Sequence, residues 1–242
     1  MTKKVLQKSV SLLVLLLAVG LGAAAEDGAI VREPFVVDFG GFAAQGELTY
    51  PAEKEGPFPA VILVHGSSIM DMDHAVVTVD YMTGQAEVLS ANFADIADFL
   101  SANGYAVLRY NKRYVNGPND ADWMRYSTEV TLRTLADDVR TVIDFAQGHP
   151  AINPERIYLY GWSEGSTVAA QVAVEEPDLA GLILQTPVVL PWRDNFEFQM
   201  YEVGVPYLHS VVPSGQMTDA DLFSVLLGDG GMVAKTIANY IF

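Results

Sequence analysis

Cysteine is absent from the 242 residues, and with it go disulfides, thiolate nucleophiles, zinc-thiolate sites and iron-sulfur clusters. Basic residues are scarce: 14 Lys and Arg stand against 30 Asp and Glu, for a net charge of −16. A surface of that sign repels nucleic acid and anionic lipid, which excludes both as partners and leaves cationic or neutral ones. Histidine occurs four times, so little imidazole chemistry is on offer. The apolar run Val10–Val19, interrupted by Ser11, falls short of the about 20 residues that a membrane span needs. What is present is a half-hydrophobic composition, enough for a single core of ordinary size and incompatible with disorder along most of the chain.

That apolar run follows Lys3, Lys4 and Lys8 and precedes Ala23, Ala24 and Ala25, the order of basic, apolar and small residues in a cleaved secretory signal. Residues 1–25 are therefore expected to be removed on export, with retention as an N-terminal anchor as the alternative. Cleavage leaves 11 basic against 30 acidic residues, a charge of −19. The mature chain is expected in a periplasm or outside the cell, off the membrane. There is no cysteine to carry a lipid.

Beyond the signal, Ile30–Val37 and Gly46–Tyr50 read as an antiparallel pair of strands. Ala60–Val64 is a continuous apolar run of the kind a parallel strand shows when both faces are covered. Strand and helix then alternate. Phe93, Ile96, Ala97 and Leu100 mark a helix stopped at Asn103 and Gly104, followed by a strand at Tyr105–Leu108. Leu132, Leu135, Val139, Val142, Ile143 and Ala146 mark a longer helix. Arg156–Tyr160 is a strand, Ser166–Val174 a helix and Leu179–Leu184 a further buried strand. This alternation predicts an α/β fold with a mostly parallel sheet and helices on both faces. From Pro191 onward the pattern weakens, and Trp192–Phe242 reads as a helical lid or insertion. The expected division is thus a signal at 1–25, a core at 26–190 and a lid at 191–242.

Gly161-Trp162-Ser163-Glu164-Gly165 sits where the strand ending at Tyr160 turns into the following helix. A turn that sharp brings two backbone segments together around the serine, so its flanks must be glycine and its hydroxyl is thrust outward. The helix N-terminus adds positive potential for an oxyanion. His65-Gly66-Ser67-Ser68 ends the first buried strand and lies beside this turn in a doubly wound sheet. The backbone N–H groups of Ser67 and Glu164 are therefore the expected oxyanion-hole pair, with Ser163 as nucleophile and His65 structural. The alternative is a glycine-flanked turn serine with no chemical role.

Through Val61–Gly66, Phe93–Arg113, Asn153–Ile157 and Gly161–Gly165 the chain resembles the secreted α/β-hydrolases of the esterase and serine aminopeptidase-like group, over Pro59–Val189. The resemblance implies the α/β-hydrolase fold, hydrolysis of a carboxylic ester or of a peptide N-terminus through an acyl-enzyme on Ser163, a small-molecule ester or peptide substrate, and no cofactor. Two departures are local. Trp162 stands where the group usually has His, and Arg109-Tyr110-Asn111-Lys112-Arg113-Tyr114 stands for a run like Arg-Tyr-Asp-Lys-Arg-Gly. A third concerns the order Ser, acid, His: neither of the last two core strands is recognisable before Phe242. His209, the one histidine after Ser163, and Asp229 do not occupy the expected loops. The chain is thus expected to be truncated, with the triad acid and base beyond Phe242. A non-catalytic binding protein on the same fold is the rival reading.

Tyr110, Arg113 and Trp123 are candidates for the mouth of a substrate pocket, since ligands bind at the C-terminal ends of parallel strands. Packing around a long loop explains them equally well. Asp71-Met72-Asp73-His74 carries metal-ligand types, but its expected state is a solvated loop without metal. Asp137 and Asp138 are expected as surface charges. The aromatics and methionine from Trp192 to Met200 suit either an acyl pocket or the packing of the lid.

Overall fold

The computed structural model describes residues 29–79, 85–211 and 218. The expected signal segment and Asp229 with its glycine-rich turn lie outside them. The described strands and helices run β1 (Ile30–Asp38), β2 (Ala43–Pro51), β3 (Phe58–Val64), β4 (Ala75–Val79), β5 (Ala86–Ala91), α1 (Asn92–Ala102), β6 (Ala106–Tyr110), β7 (Val115–Gly117) and β8 (Asp120–Ala121). They continue with α2 (Trp123–Glu129), α3 (Leu132–Gly148), β9 (Ile152–Trp162), α4 (Glu164–Glu175), β10 (Gly181–Gln185), α5 (Trp192–Phe198) and α6 (Val205–Val211), the last two joined by a π-helical turn at Gln199–Gly204.

Among the described residues six strands form the central sheet, in the order β1-β2-β6-β3-β9-β10. The β1-β2 and β2-β6 pairs are antiparallel, and β6, β3, β9 and β10 are mutually parallel. The apolar run of β3 splits by alternation between two cores. Val61 and Leu63 pack with Phe93 and Ala97 of α1 and Val107 of β6. Ala60, Ile62 and Val64 pack on the other face with Leu135, Val139, Val142 and Ala146 of α3 and Val168, Ala169 and Val172 of α4. A strand covered on both faces needs apolar residues at every position, and β3 has them. The α/β-hydrolase architecture read from the sequence is the one observed.

The helix boundaries follow ordinary chemistry. Thr131 caps α3 by accepting from the Thr134 N–H at 3.1 Å, and the Thr134 hydroxyl accepts from the Thr131 N–H at 2.8 Å, which satisfies two otherwise orphaned donors. Gly104, at φ +98°, turns the chain out of α1 into β6. Among the described residues no helix is long and apolar enough to cross a membrane.

Three features depart from the sequence reading. The β4-β5 hairpin, inserted between β3 and α1, has no counterpart in the sequence reading, although Ala75–Val79 is rich in β-branched residues. The strand expected to be buried around Leu179–Leu184 is β10, and its Leu182, Ile183 and Leu184 are exposed at the edge of the sheet. Asp138, expected at the surface, is buried on the inner face of α3, where its carboxylate pairs with the Arg113 guanidinium. Its neighbour Asp137 is exposed and pairs with Arg140 at 2.7 Å.

Burial pushes the Asp138 carboxyl up to about 6, against the opposing pull of Arg113. A carboxyl raised on folding adds stability below its unfolded pKa and loses it as pH rises through the folded one. Compared with Asp138→Asn, the wild type should therefore gain stability as pH falls from about 6 towards about 4. Thermal unfolding of both proteins across that range measures it, and parallel profiles would show that Asp138 is not linked to folding.

Candidate active site

Ser163 lies between the last residue of β9 and the first of α4, with φ +54° and ψ −119°. That conformation costs a non-glycine residue about 1–3 kcal/mol, and the surroundings hold it in place. A Cβ on Gly161 would lie 2.5 Å from the Gly165 carbonyl oxygen and 2.7 Å from the Ser166 Cα. A Cβ on Gly165 would come closer than 3 Å to the carbonyl oxygens of both Val64 and His65. The two glycines therefore let α4 start against the end of β3. Ser166 pins the turn from inside, its hydroxyl donating to Gly161 O at 2.8 Å and Gln185 O at 3.0 Å. The Ser163 N–H donates to Gln185 O at 3.0 Å, while its hydroxyl makes no capping bond to the helix it precedes.

The loop after β3 passes directly beside this turn. A Cβ built on Gly66 would stand 3.5 Å from the Ser163 Cβ and 3.8 Å from His74 Nε2. Ser67 is exposed, and Ser68 takes a left-handed φ of +78°. Glu164 occupies the first turn of α4, where an N–H has no acceptor one turn back. Ser163, Ser67 and Glu164, predicted from motif and topology, are thus brought to one end of the sheet.

Lys112, unassigned in the sequence reading, lies at the centre of this assembly. Its side chain is 3% exposed, and Nζ reaches Gly66 O at 2.7 Å, Ser68 O at 3.0 Å, Tyr126 Oη at 3.1 Å and Glu164 Oε1 at 3.3 Å. The signal that could have found it is a lysine directly after a buried strand, in line with the serine turn. Burial pulls its ammonium below the usual lysine value, with Glu164 opposing.

Two candidate pocket residues are committed elsewhere. Tyr110 is buried, its ring edge-on to Phe39 and His65. Arg113 turns inward to Asp138 and to the Phe39 carbonyl. Both belong to the packing alternative, because a charged or phenolic side chain with buried partners is not free to meet a ligand. Trp123, on α2, is exposed, as are Phe196 and Phe198 in the expected lid and His209 on α6. A cleft of about 330 Å³ lies between the start of α1 and the ends of β9 and β10, lined by Asn92, Asp95, Ile96, Tyr160, Trp162 and Gln185.

The Asp71-His74 segment is solvated only in part. Asp71 and His74 are buried; the Asp71 carboxylate accepts from the Ala75 N–H at 2.8 Å and its carbonyl bonds His65 Nε2 at 3.0 Å. His74 stacks on Trp162 at 4.1 Å. Burial pulls His65 well below the usual imidazole value, with the Lys112 charge as second cause, so its ring is neutral and Nε2 is the donor. Among the described residues no three metal-ligand side chains converge.

The sequence pattern of the serine aminopeptidase S33 hydrolases matches residues 79–240, a stretch that includes Ser163, Glu164 and Lys112. The chain belongs to this family. It is also 30% identical over 155 residues to Esterase EstD of Thermotoga maritima, across 64% of this chain and 33% of that protein, so the matched part spans about a third of the relative. The α/β-hydrolase GrgF from Penicillium sp. sh18 superposes with a TM-score of 0.50 at 20% identity, over 77% of this chain and 56% of the other. A protein assigned as a dienelactone hydrolase from Klebsiella pneumoniae gives 0.50 at 17% identity, over 67% and 62%. Both structural likenesses concern the fold.

The glycine that lets α4 meet β3 gives a direct test. Gly165→Ala should cost about 3 kcal/mol, because backbone carbonyls cannot retreat from the new methyl. Gly148→Ala, at the end of α3 with nothing within 4 Å, should leave stability within about 0.5 kcal/mol or raise it. Urea unfolding of the two variants decides, and equal effects would refute the close approach at Gly165.

Proposed function

We propose that the chain carries the catalytic elements of an exported serine hydrolase that cleaves carboxylic esters through an acyl-enzyme on Ser163. The observation that carries this reading is the Ser163 backbone at φ +54° between two obligatory glycines, with the hydroxyl free of the helix it precedes. Strain of this kind at a half-buried serine whose hydroxyl is free of the helix is characteristic of a nucleophile held ready for attack.

Ser163 Oγ attacks the acyl carbon, and the negative charge that develops on the carbonyl oxygen is met by the N–H groups of Ser67 and Glu164 at the positive end of α4. The alcohol leaves, and water releases the acid from the serine ester. The proton passes, on this reading, to a base outside the described residues. His65 is held by Asp71, His74 lies flat on Trp162, His149 faces Glu33 at 3.3 Å, and His209 is exposed on α6. The basic, apolar and small-residue order of residues 1–25 supports export, and the likeness to Esterase EstD supports an ester substrate.

The family name favours a second reading, release of an N-terminal amino acid from a peptide. Rates on p-nitrophenyl esters and on aminoacyl p-nitroanilides separate the two. A fluorophosphonate probe should label Ser163 in the full chain, and Ser163→Ala should abolish labelling and lower ester turnover by about a thousandfold or more. A folded protein that takes no label, or a Ser163→Ala variant as active as the wild type, would leave the non-catalytic binding protein as the better account.

A further inference from the structure

We propose that Lys112 is a positioning residue that clamps the two halves of the oxyanion site together, the Gly66–Ser68 loop and the Glu164 end of α4. The inference rests on the reading of Ser163 as the acylated residue. Every group within reach of Nζ is an acceptor: the carbonyls of Gly66 and Ser68, the Glu164 carboxylate and the Tyr126 oxygen. The Tyr126 hydroxyl spends its own hydrogen on Ser68 O, at 2.7 Å. Burial pushes the Tyr126 phenol up, which keeps that hydrogen in place. Three N–H bonds are therefore shared among four acceptors, a set that suits an ammonium and no neutral side chain of that length.

The link to the chemistry runs through the peptide plane. The Gly66 carbonyl and the Ser67 N–H are opposite ends of one planar trans unit. Drawing Gly66 O towards Nζ points the Ser67 N–H out of the other edge of that plane. The same nitrogen holds the side chain of Glu164, whose own N–H is the second proposed donor. One charge buried to 3% exposure thus fixes the relative position of two donors that come from segments about a hundred residues apart. An oxyanion hole works only if both donors are aimed before charge develops, and displacement by about 1 Å costs on the order of a hundredfold in rate.

The groups facing Nζ from its surroundings are Glu164 on α4, Tyr126 on α2, His65 and His74 beside β3, and Asp138 across a small cavity shared with Lys112. His65 is neutral, so Glu164 is the counter-charge in contact. Loss of the Lys112 proton would leave two N–H donors for four acceptors and remove the charge that faces Glu164, which loosens the clamp and gives kcat an alkaline limb that begins below the usual lysine range.

The test uses the full chain, a p-nitrophenyl ester and a trifluoromethyl ketone, whose serine adduct carries an oxyanion. Lys112→Met should lower kcat by about a hundredfold with KM within about twofold, and weaken the ketone by a similar factor. Lys112→Arg should recover part of kcat and move the alkaline limb upward, because a guanidinium stays charged. If Lys112→Met does not fold, Tyr126→Phe takes its place. It removes one hydroxyl and should lower kcat by about tenfold while thermal unfolding stays close to wild type. A folded Lys112→Met, or failing that Tyr126→Phe, with wild-type kcat and ketone affinity would overturn the clamp, as would a loss confined to KM. If the wild type neither turns over ester nor takes the fluorophosphonate label, the Ser163 reading fails and the clamp with it; if it does both and only the Lys112 effects are missing, the clamp alone fails.

Discussion

How closely α4 can approach the end of β3 governs the rest of this structure. At Gly165 the helix backbone meets the carbonyls of Val64 and His65 with no space for a methyl group. That contact forces Ser163 into its left-handed conformation and places the first turn of α4 beside the Gly66–Ser68 loop. The two cores make it stable: the inner face of α4 packs against β3 through Val168, Ala169 and Val172, while α1 holds the same strand from behind. A shift of α4 by the width of a side chain would relieve the strain at Ser163 and lose the alignment with the loop in one movement.

The segment that follows β6 plays a complementary part. Arg109 pairs with Glu47 and Asp73, and Asn111 accepts from the Met72 N–H at 2.7 Å. Lys112 holds the serine turn, and Arg113 holds α3 through Asp138. Four polar residues within five positions, Arg109 in β6 and Asn111, Lys112 and Arg113 after it, are thus distributed to β2, the loop after β3, α4 and α3. The run ends at Tyr114, at φ +65°, the position at which the resembled sequences carry glycine. A tyrosine there bears a cost of about 1–2 kcal/mol, against which stand its buried ring on Phe42 and its hydroxyl donating to Glu129 at 2.5 Å.

What the sequence made legible and what it hid divide along a physical line. The apolar run at Ala60–Val64, the 3.6-residue period of α3 and the glycine spacing around Ser163 are local patterns, and local patterns are written in neighbouring residues. Asp138 shows the limit. It falls on the same helical stripe as Leu135 and Val142, so the period places it inside, whereas its charge argues for the surface; Arg113, 25 residues away, resolves the conflict and leaves no mark in spacing. Tyr110 and Arg113 stay open between pocket and packing in the sequence for the same reason, since a strand end can turn a side chain to a ligand or to a partner in the core. Lys112 was hidden because its four partners come from three separate elements. The β4-β5 hairpin and the exposure of β10 are tertiary outcomes that no run of residues announces.

The distribution of charge gives the site a character opposite to that of the whole chain. With 30 acidic residues against 14 basic ones, the surface is negative, yet three of the basic residues, Arg109, Lys112 and Arg113, lie within five positions at the end of β6 and just after it, buried or nearly so. Each is matched by a carboxylate, as buried charges must be. At the serine turn the balance is tilted. His65 is held neutral by burial and by Lys112, α4 presents its positive end, and the Glu164 carboxylate is paired with Lys112. An oxyanion formed at Ser163 would therefore meet positive potential from a buried source that salt screens weakly, within a protein whose outer surface repels anions. On the proposed acyl-enzyme reading, such a site would favour the charge that appears during reaction over any charge that arrives with the substrate, which is the selectivity that hydrolysis of a neutral acyl compound requires.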